Sequence, residues 1–280
     1  MELLGRRTRL MVTREAPPGF YVDGFANGEI LLPHRLAPEG LAPGTEVDVF
    51  VYRDSEDRLV ATTEIPRVQA GEFAALEVVG THPAMGAFLD WGLSKDLLLP
   101  RREQGKPRRV GETVVVHVHL DEVSNRLVAS TRLHRWTQPH SGRFTPEHPV
   151  SLLVAEETPL GYKVIVDRHY LGQLYRSELS QRLAIGQTVA GYIRRVRPDG
   201  RIDAGLDRSG LGRLPPLADF IMQELDQRGG RLPYHDGSSP EEIRAVFGAS
   251  KKAFKQALGT LYRQRKIDLV DGGIRRREPR

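Results

Sequence analysis

The sequence predicts a mostly β chain: three small five-stranded barrels in tandem, followed by a C-terminal α+β domain. Three observations predict it. A frame of glycines and alternating apolar residues recurs three times, the last quarter changes to a helical period, and nothing points to another class. The 280 residues include no cysteine, which excludes disulfide frameworks, thiol nucleophiles and Cys-ligated metal sites. No apolar run approaches the roughly 20 residues of a membrane helix. The start, Met1-Glu-Leu-Leu-Gly-Arg-Arg, lacks the apolar core and small-residue cleavage site of a secretory signal. A cytoplasmic globular protein is expected, with two or more domains at roughly 100–200 residues each.

The repeated frame opens at Gly19-Phe-Tyr-Val-Asp, Gly86-Ala-Phe-Leu-Asp and Gly161-Tyr-Lys-Val-Ile. In each copy a second glycine follows 25 residues later, Gly44, Gly111 and Gly186, and begins an alternating run. These runs are Gly44-Thr-Glu-Val-Asp-Val-Phe-Val-Tyr, Gly111-Glu-Thr-Val-Val-Val-His-Val-His and Gly186-Gln-Thr-Val-Ala-Gly-Tyr-Ile-Arg. A third landmark completes each copy: Arg58-Leu-Val-Ala, Arg126-Leu-Val-Ala and Arg201-Ile-Asp-Ala. Period-2 patterning of β-branched residues between turn residues means strands. Asp54–Asp57, Asp121–Asn125 and Pro198–Gly200 fall where hairpin turns belong. Each copy is then a meander of about five strands, of a size that closes into a small barrel and hides its edges. A unit that small buries only ~60% of its unfolded surface, so the copies should lean on one another or on their linkers.

Beyond the third copy the period changes. Pro216–Gln227 reads as a helix, with Leu217, Phe220, Ile221 and Leu225 on one face. Ser239-Pro-Glu-Glu242 is a capping-box start for a second helix, which carries Ile243 and Val246-Phe247 up to Gly248. Ser250 caps a third, whose Phe254, Ala257, Leu258 and Leu261 form an apolar stripe. Ile267–Arg275 is a hairpin turning at Asp-Gly-Gly. Three short helices and then a hairpin is the winged-helix order. The resulting division is 1–65, 66–135 and 149–209 for the barrels and 216–280 for the winged helix, with linkers at 136–148 and 210–215.

Two resemblances attach to these parts. Gly161-Tyr-Lys-Val through Gly172-Gln-Leu-Tyr-Arg-Ser-Glu-Leu179 to Gly186-Gln-Thr-Val resembles the OB-fold RNA-binding module named after the largest small-subunit ribosomal protein, the S-one domain. Gly86-Ala-Phe-Leu-Asp-Trp-Gly92 matches its opening strands as well, and the first copy matches more weakly. The string from Gly248-Ala-Ser-Lys-Lys-Ala-Phe-Lys to Arg-Gln-Arg-Lys-Ile267 resembles the end of the conserved virulence factor B family. Leu31-Leu-Pro-His34 and Leu97-Leu-Leu-Pro100 are similar to that family too. The resemblance implies a bacterial regulator with tandem barrels of this kind and a C-terminal winged helix. It also implies base stacking by an aromatic two residues after the first glycine and by a His on the next strand. By position the first role falls on Tyr21, Phe88 and Lys163, and the second on Pro33, Pro100 and Tyr175, so only the third copy keeps a ring at the second place.

Formal net charge is +5, with 34 Arg and seven Lys. It is −4 over residues 1–65, +2 over 66–135, +2 over 136–212 and +5 over 213–280. Affinity for phosphate needs local positive potential, so the later modules are the expected contact. Strand parity turns Phe50, His117 and Tyr192 outward, with Tyr52, His119 and Arg194 beyond them. Lys163, Tyr175, Arg176, Tyr192 and Arg194 thus make the best basic–aromatic surface, suited to single-stranded RNA. Phe88 joins them, and Trp91 fits either an exposed stacking ring or rim packing. In the winged helix, Lys251, Lys252, Lys255 and Arg263 lie off the apolar stripe of the third helix, and Arg275, Arg276 and Arg277 follow the wing. A solvated charged face and a phosphate contact both fit these residues.

Enzyme signals are thin: there is no phosphate loop of the G-x-x-x-x-G-K-[ST] kind and no H-E-x-x-H helix. His117, His119 and Asp121 share one strand face and could hold a metal, but solvent-facing or RNA-contacting histidines fit better, so no metal or cofactor is assigned. The expected function is non-enzymatic binding of single-stranded RNA in post-transcriptional regulation. The rivals are a duplex-DNA transcriptional regulator using the winged helix, and a scaffold docking on the ribosome or another protein.

Overall fold

The computed structural model describes residues 3–138, 144–176, 179, 182–206 and 214–277. The glycine frame becomes strands at each copy. In the first, β1 (Arg7–Ala16), β2 (Gly19–Asp23), β3 (Glu29–Pro33), β4 (Glu46–Arg53) and β5 (Leu59–Thr62) close a barrel in the order β1-β2-β3-β5-β4. The second has β6 (Phe73–His82), β7 (Gly86–Asp90), β8 (Leu97–Pro100), β9 (Thr113–Asp121) and β10 (Arg126–Ser130). Its order, β10-β9-β6-β7-β8, is the same cycle opened at the β8–β10 seam, so this copy is a curled sheet rather than the closed barrel expected. The third has β11 (Pro149–Thr158), β12 (Gly161–Val166), β13 (Tyr170–Tyr175), β14 (Thr188–Val196) and β15 (Ile202–Gly205), and it closes like the first.

The landmark glycines have a steric cause. At Gly19, Gly86 and Gly161, φ is +154°, +135° and +143°, and an added Cβ would lie 2.2, 2.2 and 2.0 Å from the carbonyl oxygens of Leu32, Leu99 and Leu174. The hairpin strands press so closely there that no side chain fits. Gly44, Gly111 and Gly186 turn the chain into the fourth strand at φ near +85° in each copy. The inward residues Val47, Val49, Val51, Val114, Val116, Val118 and Ile193 are buried, as strand parity requires.

The chain divides into two compact units, Met1–Ala204 and Gly205–Arg280. Within the first, the copies share apolar contacts. Phe50 and Tyr52, on the outer face of β4, join Val68, Trp91 and Leu93 in the core of the second copy. Val115 and Leu133 meet Ala155 and Ile165 of the third, with Phe73 and Leu171 packed alongside. Outward parity therefore does not mean exposure here. These seams supply burial that a barrel of this size cannot supply alone.

The second unit is built from α1 (Leu214–Gln227), β16 (Arg231–Leu232), α2 (Pro240–Phe247), α3 (Lys251–Arg263), β17 (Ile267–Val270) and β18 (Gly273–Arg276). Its sheet order is β16-β18-β17, a wing hairpin extended by a short strand that sequence patterning missed. Ser239 and Glu242 form the expected capping box with Pro240 in the first turn, and Ser250 caps α3. α1 begins two residues before the predicted start, prolines being tolerated in a first turn. The stripe of α3 is buried with Ile221, Leu225 and Ile243. Phe220, expected in that core, is 38% exposed and lies edge-on to Phe247. No helix among the described residues is long and apolar enough to cross a membrane.

Candidate nucleic-acid interface

The outer face of β12, β13 and β15 in the third barrel carries the strongest candidate surface. Strand pairing sets Lys163 opposite Gln173 and Gln173 opposite Asp203. Tyr175 ends β13, half-buried. Its hydroxyl lies 3.4 Å from Asp203 Oδ1 and receives a hydrogen bond from Arg197. Asp203 also accepts from Arg195 at 2.9 Å and from Arg197 Nε at 2.9 Å. Burial works to raise the Asp203 pKa, yet the hydrogen bonds from Arg197 and Arg195 hold it below the usual carboxylate range. A buried carboxylate thus fixes a tyrosine and two guanidinium groups in one place. Arg195 keeps 69% of its side chain exposed, and Lys163 is exposed at a solvated pair with Glu156.

Arg195, Arg197 and Asp203 were not singled out from sequence. A signal existed: the third landmark reads Val60 and Val128 in the first two copies but Asp203 in the third. An acid at an apolar position of a repeat marks a changed surface. The other predicted residues of this barrel are placed differently. Tyr192 stands on β14 opposite Pro149 of β11, and it and Arg194 each have partners of their own.

Arg176 has a role that the repeat reveals. It donates to the Thr158 carbonyl at 3.2 Å and pairs with Glu157 at 2.8 Å. Fifteen residues after the other landmark glycines stand His34 and Arg101. His34 bonds the Ala16 carbonyl at 3.1 Å, and Arg101 donates to the Pro83 carbonyl at 2.7 Å. All three side chains tie the end of the third strand to the turn between the first two.

In the second copy Phe88 is half-buried, lining a cavity of about 380 Å³ with Tyr52, Met85, Lys95, Leu98 and Arg126. Two hairpin turns from neighbouring copies meet beside it. Arg126 pairs with Asp57 at 2.5 Å, and Arg53 donates to the Asn125 carbonyl at 3.0 Å. Trp91 is not an exposed stacking ring: it is 3% exposed, edge-on to Phe50 at 5.6 Å, and donates to the Lys95 carbonyl. Its rim-packing alternative is the one realised, because the first copy covers it. His117 is likewise no solvent-facing group. It is 5% exposed and stacked on Trp136 at 4.5 Å, and His119 lies against the same indole at 4.1 Å. No group of three metal-ligating side chains occurs among the described residues.

Comparison with known proteins follows these parts. The S1 domain family matches residues 4–64 and the CvfB-like winged helix domain family matches residues 219–275. This chain joins an S1 domain to a CvfB-like winged helix. Its homologues run over most of its length. The uncharacterized protein YitL of Bacillus subtilis is 29% identical over 290 residues, covering 96% of this chain and 92% of that protein. Conserved virulence factor B of Staphylococcus aureus is 27% identical over 248 residues, covering 84% and 80%. A solved Streptococcus pneumoniae structure described as a multidomain protein with nucleic acid binding domains is 22% identical, with TM-score 0.43 and 98% of each chain covered. The resemblance to the conserved virulence factor B family read from Gly248–Ile267 therefore holds, and the S1 match falls on the copy that resembled the module most weakly. Both domain types are nucleic-acid-binding rather than enzymatic.

In the CvfB-like winged helix the cations of α3 and the wing are solvated. Lys252 is exposed with no ion pair among the described residues. Lys251 reaches the Gly237 carbonyl at 3.4 Å, Lys255 pairs with Asp236 at 3.5 Å, and Arg263 donates to the Gly259 carbonyl of its own helix. Arg275 and Arg277 both face Asp268, at 3.9 and 3.8 Å, and Arg276 pairs with Asp226. Exposed pairs of this kind are worth about 0–1 kcal/mol, so exchanging a carboxylate for a phosphate costs little.

Proposed function

We propose that this protein binds single-stranded RNA and acts in post-transcriptional control. The third barrel offers Tyr175, Lys163, Arg195 and Arg197, and the winged helix offers Lys251, Lys252, Lys255, Arg263, Arg275 and Arg276 as a second set of contacts. Phe88 provides a further ring for a base. The observation that carries this reading is the Tyr175–Arg197–Asp203–Arg195 network. It holds one aromatic face beside two guanidinium groups, the pairing of ring and charge that single strands require. A base stacks on the ring while the neighbouring cations take phosphates, with little dependence on sequence.

The cations of α3 favour a second reading, in which the winged helix reads duplex DNA. One experiment separates them. Binding of a single-stranded oligoribonucleotide is measured at several salt concentrations for the native chain, Tyr175→Ala and the Lys251→Ala/Lys252→Ala double variant, with duplex DNA as competitor. The RNA reading expects weaker binding in both variants and poor competition by duplex. Unchanged affinity in both variants overturns it, and preference for duplex supports the second reading.

A further inference from the structure

A second cavity lies in the second copy, beside the β6–β7 turn. It encloses about 440 Å³, and its lining includes Thr81, His82, Arg101, Lys106, Arg108 and Arg132. The remaining lining residues are glycines, prolines and Gln104, so the wall has no carboxylate, no large aliphatic side chain and, apart from the His82 imidazole, no aromatic ring. Four formal positive charges therefore face one space. Among the described residues Arg101, Lys106 and Arg132 have no ion pair, and only Arg108 does, with Glu112 at 2.8 Å. Nε of Arg108 and Nε of Arg132 are buried without a hydrogen-bond partner.

His82 adds a donor. Its Nδ1 accepts from the backbone N–H groups of Ala84 and Met85, both at 3.3 Å. An Nδ1 that accepts is unprotonated, so in the neutral ring Nε2 carries the hydrogen. Guanidinium forks, an ammonium and an imidazole N–H together form the donor set that recognises phosphate oxygens. The volume lies within the roughly 300–1,000 Å³ typical of small-molecule pockets, which leaves room for a phosphate and the sugar attached to it. With only one imidazole and no apolar platform in the wall, recognition rests on the anion and not on a base.

We infer that this cavity is a phosphomonoester-binding site. A phosphomonoester has two sources, the 5′ end of an RNA and a free nucleotide, and the site is separate from the Tyr175 surface, so it stands whether or not that surface binds RNA. The test uses the full chain. Uridine 5′-monophosphate is titrated by calorimetry against the native protein, Lys106→Glu and Arg132→Gln, with uridine as the uncharged control. In parallel, 5′-phosphorylated and 5′-hydroxyl forms of one oligoribonucleotide are compared. Lys106 is exposed and its replacement should leave the fold intact, which a thermal melt of each variant checks. The expected result is saturable binding of the monophosphate, none of uridine, and a loss of about tenfold or more in each folded variant. A preference for the phosphorylated oligoribonucleotide, lost in the same variants, assigns the RNA end as the source. Monophosphate binding without that preference assigns the free nucleotide. No saturable monophosphate binding together with no end preference overturns the inference, as does native-like binding in both variants.

Discussion

Replacing Tyr175 with alanine removes the ring but leaves Asp203 bonded to Arg195 and Arg197. Stacking of a base on an aromatic side chain contributes about 1–3 kcal/mol. At about 1.4 kcal/mol per tenfold, Tyr175→Ala should weaken single-stranded RNA binding by roughly 5- to 150-fold. Tyr175→Phe keeps the ring and loses only the hydroxyl contacts to Asp203 and Arg197. It should cost about 0.5–1.5 kcal/mol of stability and leave affinity within about threefold. Fluorescence anisotropy of a labelled oligoribonucleotide at three or more salt concentrations measures both effects. The ring carries no charge, so the slope of log K against log salt should not change in either variant. In contrast, Lys163→Ala should flatten it by about 0.7, the counterion release of one single-strand phosphate contact. If phenylalanine loses as much affinity as alanine, the ring is not a stacking platform. If alanine loses none, the face does not touch RNA.

Other outcomes follow from the packing and the titrating groups. Burial, and secondarily the charge of His119, lower the His117 pKa from 6.5 to about 4. The unfolded chain then takes up the proton first, so stability should fall as pH drops from about 6.5 towards 4. His117→Asn should flatten that part of the profile in urea melts at pH 7.5 and 4.5. Trp91→Ala empties the seam between the first two copies and should cost about 3–5 kcal/mol, read from the urea midpoint; a change below about 1 kcal/mol would mean the indole is not packed as described. Gly161→Ala places a Cβ 2.0 Å from the Leu174 carbonyl oxygen and should prevent the third barrel from folding, seen as lost amide protection across β12 and β13.

Much of this architecture was legible because its causes are local. A strand pressed against a neighbouring carbonyl must have glycine, so Gly19, Gly86 and Gly161 mark their turns wherever the copies sit. Ser239, Glu242 and Ser250 cap helices through bonds spanning three residues. The site was less legible because its causes are distant. Alternation along β4 and β9 correctly sends Phe50 and His117 away from their own barrels, but it carries no information on whether the next copy or Trp136 lies there. Trp91 was ambiguous for the same reason. Arg195 and Arg197 lie near and just past the end of β14, where alternation fails; they meet Asp203 across the turn into β15, and Tyr175 joins them only once β13 and β15 pair.

The junction between the first two copies has a consequence for either one taken alone. Trp91 packed against Phe50, and the two turns joined by Arg126–Asp57 and Arg53–Asn125, hold the first barrel against the curled sheet of the second. Cutting the first copy away would strip the cover from that indole and leave the second with an apolar gap to fill.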